Sequence, residues 1–222
     1  MTNKQEMTES MVNQDNLEAW SRTILEDEFN DTTQNEHRGN KLVSGEATLG
    51  KLRMMGGFQT PTLDVGCGRG SETVFDFLLD PCPERAATNP KVKHGWLECL
   101  PFGPRYIGFV QAWGVLCFVR SLVESMMEVN RVLRSGGIFV FDVVTYTTMP
   151  LAQTVDGPSF IRWAGLFGFE LQAQIPFGWE YHRRLGLRLK KVSDFDPARF
   201  RMPQSDTGKI HNYLTTRDWF MV

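Results

Sequence analysis

Apolar residues first recur at three- to five-residue steps at Leu17, Trp20, Ile24 and Phe29, with Glu18, Glu26, Asp27 and Glu28 on the other faces. That spacing predicts an amphipathic helix, preceded by a polar start and followed by the polar connection NDTTQNEHRGN. A second short helix is expected through EATLGKLRMM, ended by Gly56-Gly57. Beyond it the pattern changes. PTLDVG and FDFLLD are short apolar runs closed by breakers, as buried strands are, and YIGFVQAWGVLCFV is too apolar to lie on a surface. SLVESMMEVNRVLR returns to helical spacing, with Leu122, Met126, Val129 and Leu133 on one face and Ser135-Gly136-Gly137 as its stop. IFVFDVVTY is apolar on both faces, the mark of a central parallel strand. PSFIRWAGLF then predicts a helix ending at Gly168, and FELQAQI a strand. WEYHRRLGLRLKKV and YLTTRDWFMV close the chain. Strand–helix alternation with buried strands indicates an open α/β sheet with helices on both faces.

The chain has 222 residues, enough for one core, and its 24 Lys and Arg against 26 Asp and Glu give a formal net charge of -2. This near-balance excludes binding to nucleic acid by bulk charge. No unbroken apolar run approaches a membrane span, and the start MTNKQEMTES lacks the apolar core of a secretory signal, so a cytoplasmic protein is expected. Cys67, Cys82, Cys99 and Cys117 form no CxxC pair and no zinc pattern, which predicts no metal site and reduced, individually buried thiols.

Candidate chemistry lies in TLDVGCGRGS, residues 62–71. A buried strand runs into three alternating glycines, Gly66, Gly68 and Gly70, where the backbone can turn tightly and lie against a ligand. The spacing is G-x-G-x-G, not the G-x-G-x-x-G of pyrophosphate-binding folds, and Asp64 just before it would repel a pyrophosphate but accept from an ammonium group.

LDVGCGRG resembles the first motif of class I S-adenosylmethionine-dependent methyltransferases. HGWLECLPF is similar to that family's segment beside the adenine, and LCFVRSLVESMMEVNRVLRSGGIFVFDVV to its helix, glycine turn and central strand. The three blocks keep the family order from about Pro61 to Thr145. The resemblance implies a Rossmann-like, seven-stranded, mostly parallel sheet with helices on both faces and an antiparallel carboxyl-terminal edge, one strand of it from YLTTRDWFMV. It implies a domain from 46 to 222 behind an amino-terminal extension and cap, residues 1–45. It also implies S-adenosylmethionine as cofactor, with Asp64, Gly66, Cys67, Gly68 and Gly70 about the methionine portion. Asp80, with Pro81, would hold the ribose hydroxyls, Leu97 and Glu98 would lie at the adenine edge, and Trp113, beside Gly114, where acceptor and methyl meet.

Three places depart from the family pattern. Only 14 residues separate Gly66 from Asp80, leaving barely two turns of helix and keeping Asp76 open as an alternative ribose ligand. Trp96 stands where a smaller polar residue often reaches the adenine, and Tyr106-Ile107-Gly108 replaces an acidic start to the fourth strand. The reading is methyl transfer to a small-molecule acceptor, with no catalytic residue assigned; Tyr146, His182 and Asp142 are candidate bases on loops after strands. A methyltransferase-like binding module is the alternative. RNA methylation through the basic run at His182-Arg183-Arg184, Arg188, Lys190 and Lys191 is a further one, although a solvated face is the expected state of that run.

Overall fold

Residues 45–197 are described in a computed structural model, apart from 57, 69–73, 83, 85, 86, 88, 148–151, 180 and 181. The helix at Leu17–Phe29, Gly70 and the run YLTTRDWFMV lie outside the described residues. In chain order the elements are α1 (Gly45–Met54), β1 (Thr62–Val65), β2 (Phe77–Asp80), β3 (Val92–His94), β4 (Ile107–Ala112), α2 (Leu122–Val132), β5 (Leu133–Thr147), α3 (Gly157–Leu166), β6 (Phe169–Trp179) and β7 (His182–Lys191).

The strands form one seven-stranded sheet in the order β3-β2-β1-β4-β5-β7-β6. Pairs from β3 through β5 are parallel, and β7 runs antiparallel to both β5 and β6. The described residues supply seven strands before residue 192, with β6 at the antiparallel edge among them. β3 was not foreseen, because three residues with only Val92 buried carry no readable period.

One face of the sheet packs Met126, Val129 and Val132 of α2 and Phe160, Trp163 and Ala164 of α3. The other packs Leu49 and Leu52 of α1 against Leu78, Phe109, Ile138 and Val140. Each helix follows from its own signals. Ser121 caps α2 by accepting from the Glu124 amide, and Asp156 caps α3 by accepting from the Ser159 amide. Gly56 (φ 114°) follows α1 and Gly168 (φ 79°) follows α3.

The end of α2 differs from expectation. Leu133 is extended (φ −70°, ψ 135°) rather than helical, and it opens β5. A side chain takes over the stop expected of the glycines: Lys191 Nζ donates to the Asn130 carbonyl at 2.6 Å and the Leu133 carbonyl at 2.8 Å, satisfying the last turn from β7. Ser135-Gly136-Gly137 instead belongs to an irregular entry into β5. Ile107 pairs with Leu133 and Phe109 with Ile138, so β5 takes five steps where β4 takes two.

The basic run is also not a solvated face. As strand β7 it buries His182, Arg188 and Lys191 and exposes Arg183 and Lys190. Arg188 donates to the Leu52 carbonyl at 2.9 Å, so this cation joins β7 to α1. None of the four cysteines is in a disulfide, but only Cys82 and Cys117 are buried; Cys67 is intermediate and Cys99 exposed.

Candidate functional site

In the order β3-β2-β1-β4-β5 the chain direction of progress reverses between β1 and β4, and ligands of such sheets bind beyond the carboxyl ends of the strands at that reversal. The glycine loop begins there. The Gly66 and Cys67 amides donate to the Leu79 carbonyl at 2.8 and 3.1 Å, bending the chain over the end of β2. Gly66 (φ 70°) and Gly68 (φ 60°) are both left-handed. A Cβ on Gly66 would stand 2.2 Å from Val115 Cγ2, whereas one on Gly68 would meet none of the described residues within 4 Å. Glycine is thus required at the first position by close packing and at both by left-handed backbone.

Asp80 ends β2 wholly buried. Its Oδ2 accepts from the Gly68 amide at 2.7 Å and its Oδ1 from the Cys82 amide at 2.9 Å, so one carboxylate joins the loops after β1 and β2. Asp76 is excluded as its substitute. That carboxylate accepts from the Thr62 amide at 2.8 Å and hydroxyl at 3.0 Å, at the opposite end of β1.

Gly66, Cys67, Gly68, Asp80 and Pro81 therefore gather at one place. Asp64 lies beneath them, buried, accepting from Gln111 Nε2 at 2.9 Å, while Gln111 Oε1 accepts from Arg53 Nε at 2.5 Å. This relay from α1 through β4 to β1 was not anticipated; its only signal was a glutamine inside the apolar run of β4. Leu97 is buried in the core after β3. Glu98 beside it turns to the start of α2, where it accepts from the Arg120 amide at 2.7 Å. Burial pushes its carboxyl up to about 7 against hydrogen bonds from backbone amides. Trp96 is buried with its ring edge-on to His94, centroids 4.5 Å apart.

Trp113 follows β4 and stacks on Phe177 of β6, with centroids 5.2 Å apart and planes 15° from parallel. The β5–β7–β6 sheet continues past the end of β4. Ala112 pairs with Phe141, and β5 stays paired with β7 to Thr147 and His182, raising a wall beside the mouth. All three candidate bases stand on it. Tyr146 is exposed, with the Arg183 guanidinium 5.9 Å from its ring centroid. His182 is buried against Thr147 Oγ1 at 2.8 Å, and burial, then Arg184, lower it to about 4. Asp142 is buried, accepts from the Gly114 amide at 2.6 Å and pairs with Arg184; burial raises its carboxyl although Arg184 opposes this. From the sequence, Phe177 was not singled out for a site, and Arg184 only as a member of the basic run.

Among the described residues no group of three or more His, Cys, Asp or Glu side chains is arranged to hold a metal. No helix among them is long and apolar enough to cross a membrane.

Residues 63–141 match the family model described as a methyltransferase domain. No curated protein matches the chain. Among solved structures, it is similar to a SAM-dependent methyltransferase of Thermotoga maritima, with TM-score 0.54, 16% identity and coverage of 64% of this chain and 86% of that one. It is also similar to the geranyl diphosphate C-methyltransferase of Streptomyces coelicolor A3(2), with TM-score 0.55, 13% identity and coverage of 66% and 80%. That enzyme was solved with Mg2+, geranyl diphosphate and S-adenosyl-L-homocysteine. The segment from β1 into β5 is thus similar to a methyltransferase domain, and the seven-stranded sheet that carries it has the Rossmann-like fold of those solved methyltransferases.

Proposed function

We propose that this chain uses its methyltransferase domain to transfer a methyl group from S-adenosylmethionine to a small-molecule acceptor. The observation that carries this reading is the Gly68–Asp80–Cys82 arrangement: a left-handed glycine loop tied by a buried carboxylate to the next loop. When bound, the cofactor supplies a methyl made electrophilic by its sulfonium. The chain's own task is to bind, align and keep water out, so that acceptor, methyl and sulfur lie in one line.

The residues present suit the cofactor. Gly66, Cys67 and Gly68 offer a backbone that lies close to a ligand, and Gly70 follows in the motif. A buried carboxylate that already accepts from amide donors is the acceptor type that vicinal ribose hydroxyls need. Leu97 contributes the apolar floor after β3, and Trp113 with Phe177 shapes the acceptor side. A small acceptor is favoured over RNA because His182, Arg188 and Lys191 are buried inside the protein rather than offered to phosphates.

Calorimetric titration of the full chain with S-adenosylhomocysteine tests the reading. One site of micromolar affinity is expected. No heat at millimolar ligand would leave a methyltransferase-like binding module as the better account.

A further inference from the structure

We infer that Asp142 and Arg184 are a positioning pair that clamps the loop between β4 and α2 onto the glycine loop and so ties the acceptor wall to the cofactor side. The inference rests on the proposed reading for its functional meaning, while the clamp itself stands on geometry.

The contacts form a closed circuit. Asp142 of β5 accepts from the Gly114 amide at 2.6 Å. Gly114 adjoins Trp113, which stacks on Phe177 of β6. The Arg184 guanidinium of β7 lies 5.6 Å from the Phe177 centroid and pairs back to Asp142. Gly114 is left-handed (φ 76°), and a Cβ there would stand 3.6 Å from the Arg184 guanidinium. The next residue, Val115, presses Cγ2 against Gly66, where no Cβ can fit. A displacement of Gly114 therefore reaches the cofactor loop through one residue.

The circuit is sensitive because its carboxylate is buried. The Asp142 side chain is wholly covered, and Asp142 Oδ2 with Arg184 Nε and Nη2 makes no hydrogen bond outside the ion pair. Removing either partner leaves the other charge uncompensated. Asn at position 142 keeps an oxygen for the Gly114 amide and loses the charge; Ala loses both.

Hydrogen exchange on the ligand-free full chain reads the clamp directly. In Asp142→Ala, peptides covering 63–68 and 113–118 are expected to exchange at least tenfold faster together; in Asp142→Asn both stay within about threefold of the parent. With exchange compared at equal intervals below each variant's own melting temperature, a merely structural role predicts equal effects in the two variants. Equal acceleration in the two variants, or loosening of 113–118 with 63–68 unchanged, overturns the inference. If Asp142→Ala does not fold, Val115→Ala serves: faster exchange at 63–68 is expected, and unchanged exchange overturns it. S-adenosylhomocysteine titration of the same proteins separates the two claims. Where the parent does not bind but exchange remains coupled, only the proposed function falls; where it binds, Asp142→Ala weakens affinity at least tenfold and Asp142→Asn less than threefold.

Discussion

Backbone amides and the Asp80 carboxylate join strands β1 to β4 at the ligand side, whereas cationic side chains join β5 to β7 to their neighbours. In the first half the strands have three to six residues, and amides of Gly66, Cys67, Gly68 and Gly95 hold the strand ends together. In the second half they have 10 to 15 residues, and cations make the joints: Arg184 to Asp142, Arg188 to the Leu52 carbonyl and, at the end of the sheet away from the ligand side, Lys191 to the end of α2. A backbone site fixes which residue types are allowed at neighbouring positions. A side-chain site fixes only that two distant residues complement one another. The two halves should therefore fail differently when altered.

The largest difference is expected from Lys191→Met. It leaves the Asn130 and Leu133 carbonyls without their buried donor and should destabilise the fold by about 3 kcal/mol. Affinity of the remaining folded protein for S-adenosylhomocysteine should stay within twofold. Chemical denaturation and calorimetry measure the two quantities, and a parallel loss of affinity would erase the distinction between the halves.

Gly66→Ala should do the reverse. Its left-handed backbone costs an alanine roughly 1–2 kcal/mol, and the added Cβ meets Val115. Affinity should fall on the order of tenfold, a change of about 1.4 kcal/mol. Full affinity in a folded Gly66→Ala protein would show that the loop does not need its close approach.

The smallest effect belongs to Glu98, which lies between the two kinds of joint. Its pKa is raised by burial from 4.5 to about 7, so the folded state favours the protonated form. The stabilising contribution is full below pH 4.5 and is lost as pH rises through about 7. The melting temperature of the parent should therefore decline across that window by a few degrees more than that of Glu98→Gln. Equal slopes would mean that the carboxyl titrates normally.

The same contrast explains what could be read from the chain. The glycine loop at Gly66 and Gly68 and the strand end at Asp80 were legible because a left-handed turn admits few residues, and their spacing follows the strands they end. The central strand IFVFDVVTY was legible because burial on both faces leaves it uniformly apolar. The basic run was misread because Arg188 and Lys191 find buried carbonyls 136 and 58 or more residues away, partners that no local pattern encodes. The end of α2 was misplaced for the same reason: its cap comes from β7. β3 fell below the length at which alternation is visible, and Gln111 signalled only that a polar group within an apolar strand needs a partner.

The central claim is that the carboxylate of Asp80 organises the cofactor site from beneath the glycine loop. Calorimetric titration of S-adenosylhomocysteine into the parent chain and Asp80→Asn tests it most directly. The account predicts one micromolar site in the parent and a loss of about 100-fold or more in the variant, since bonds to a charged acceptor contribute roughly 1.5–3 kcal/mol each. A folded Asp80→Asn protein that binds as tightly as the parent would contradict it.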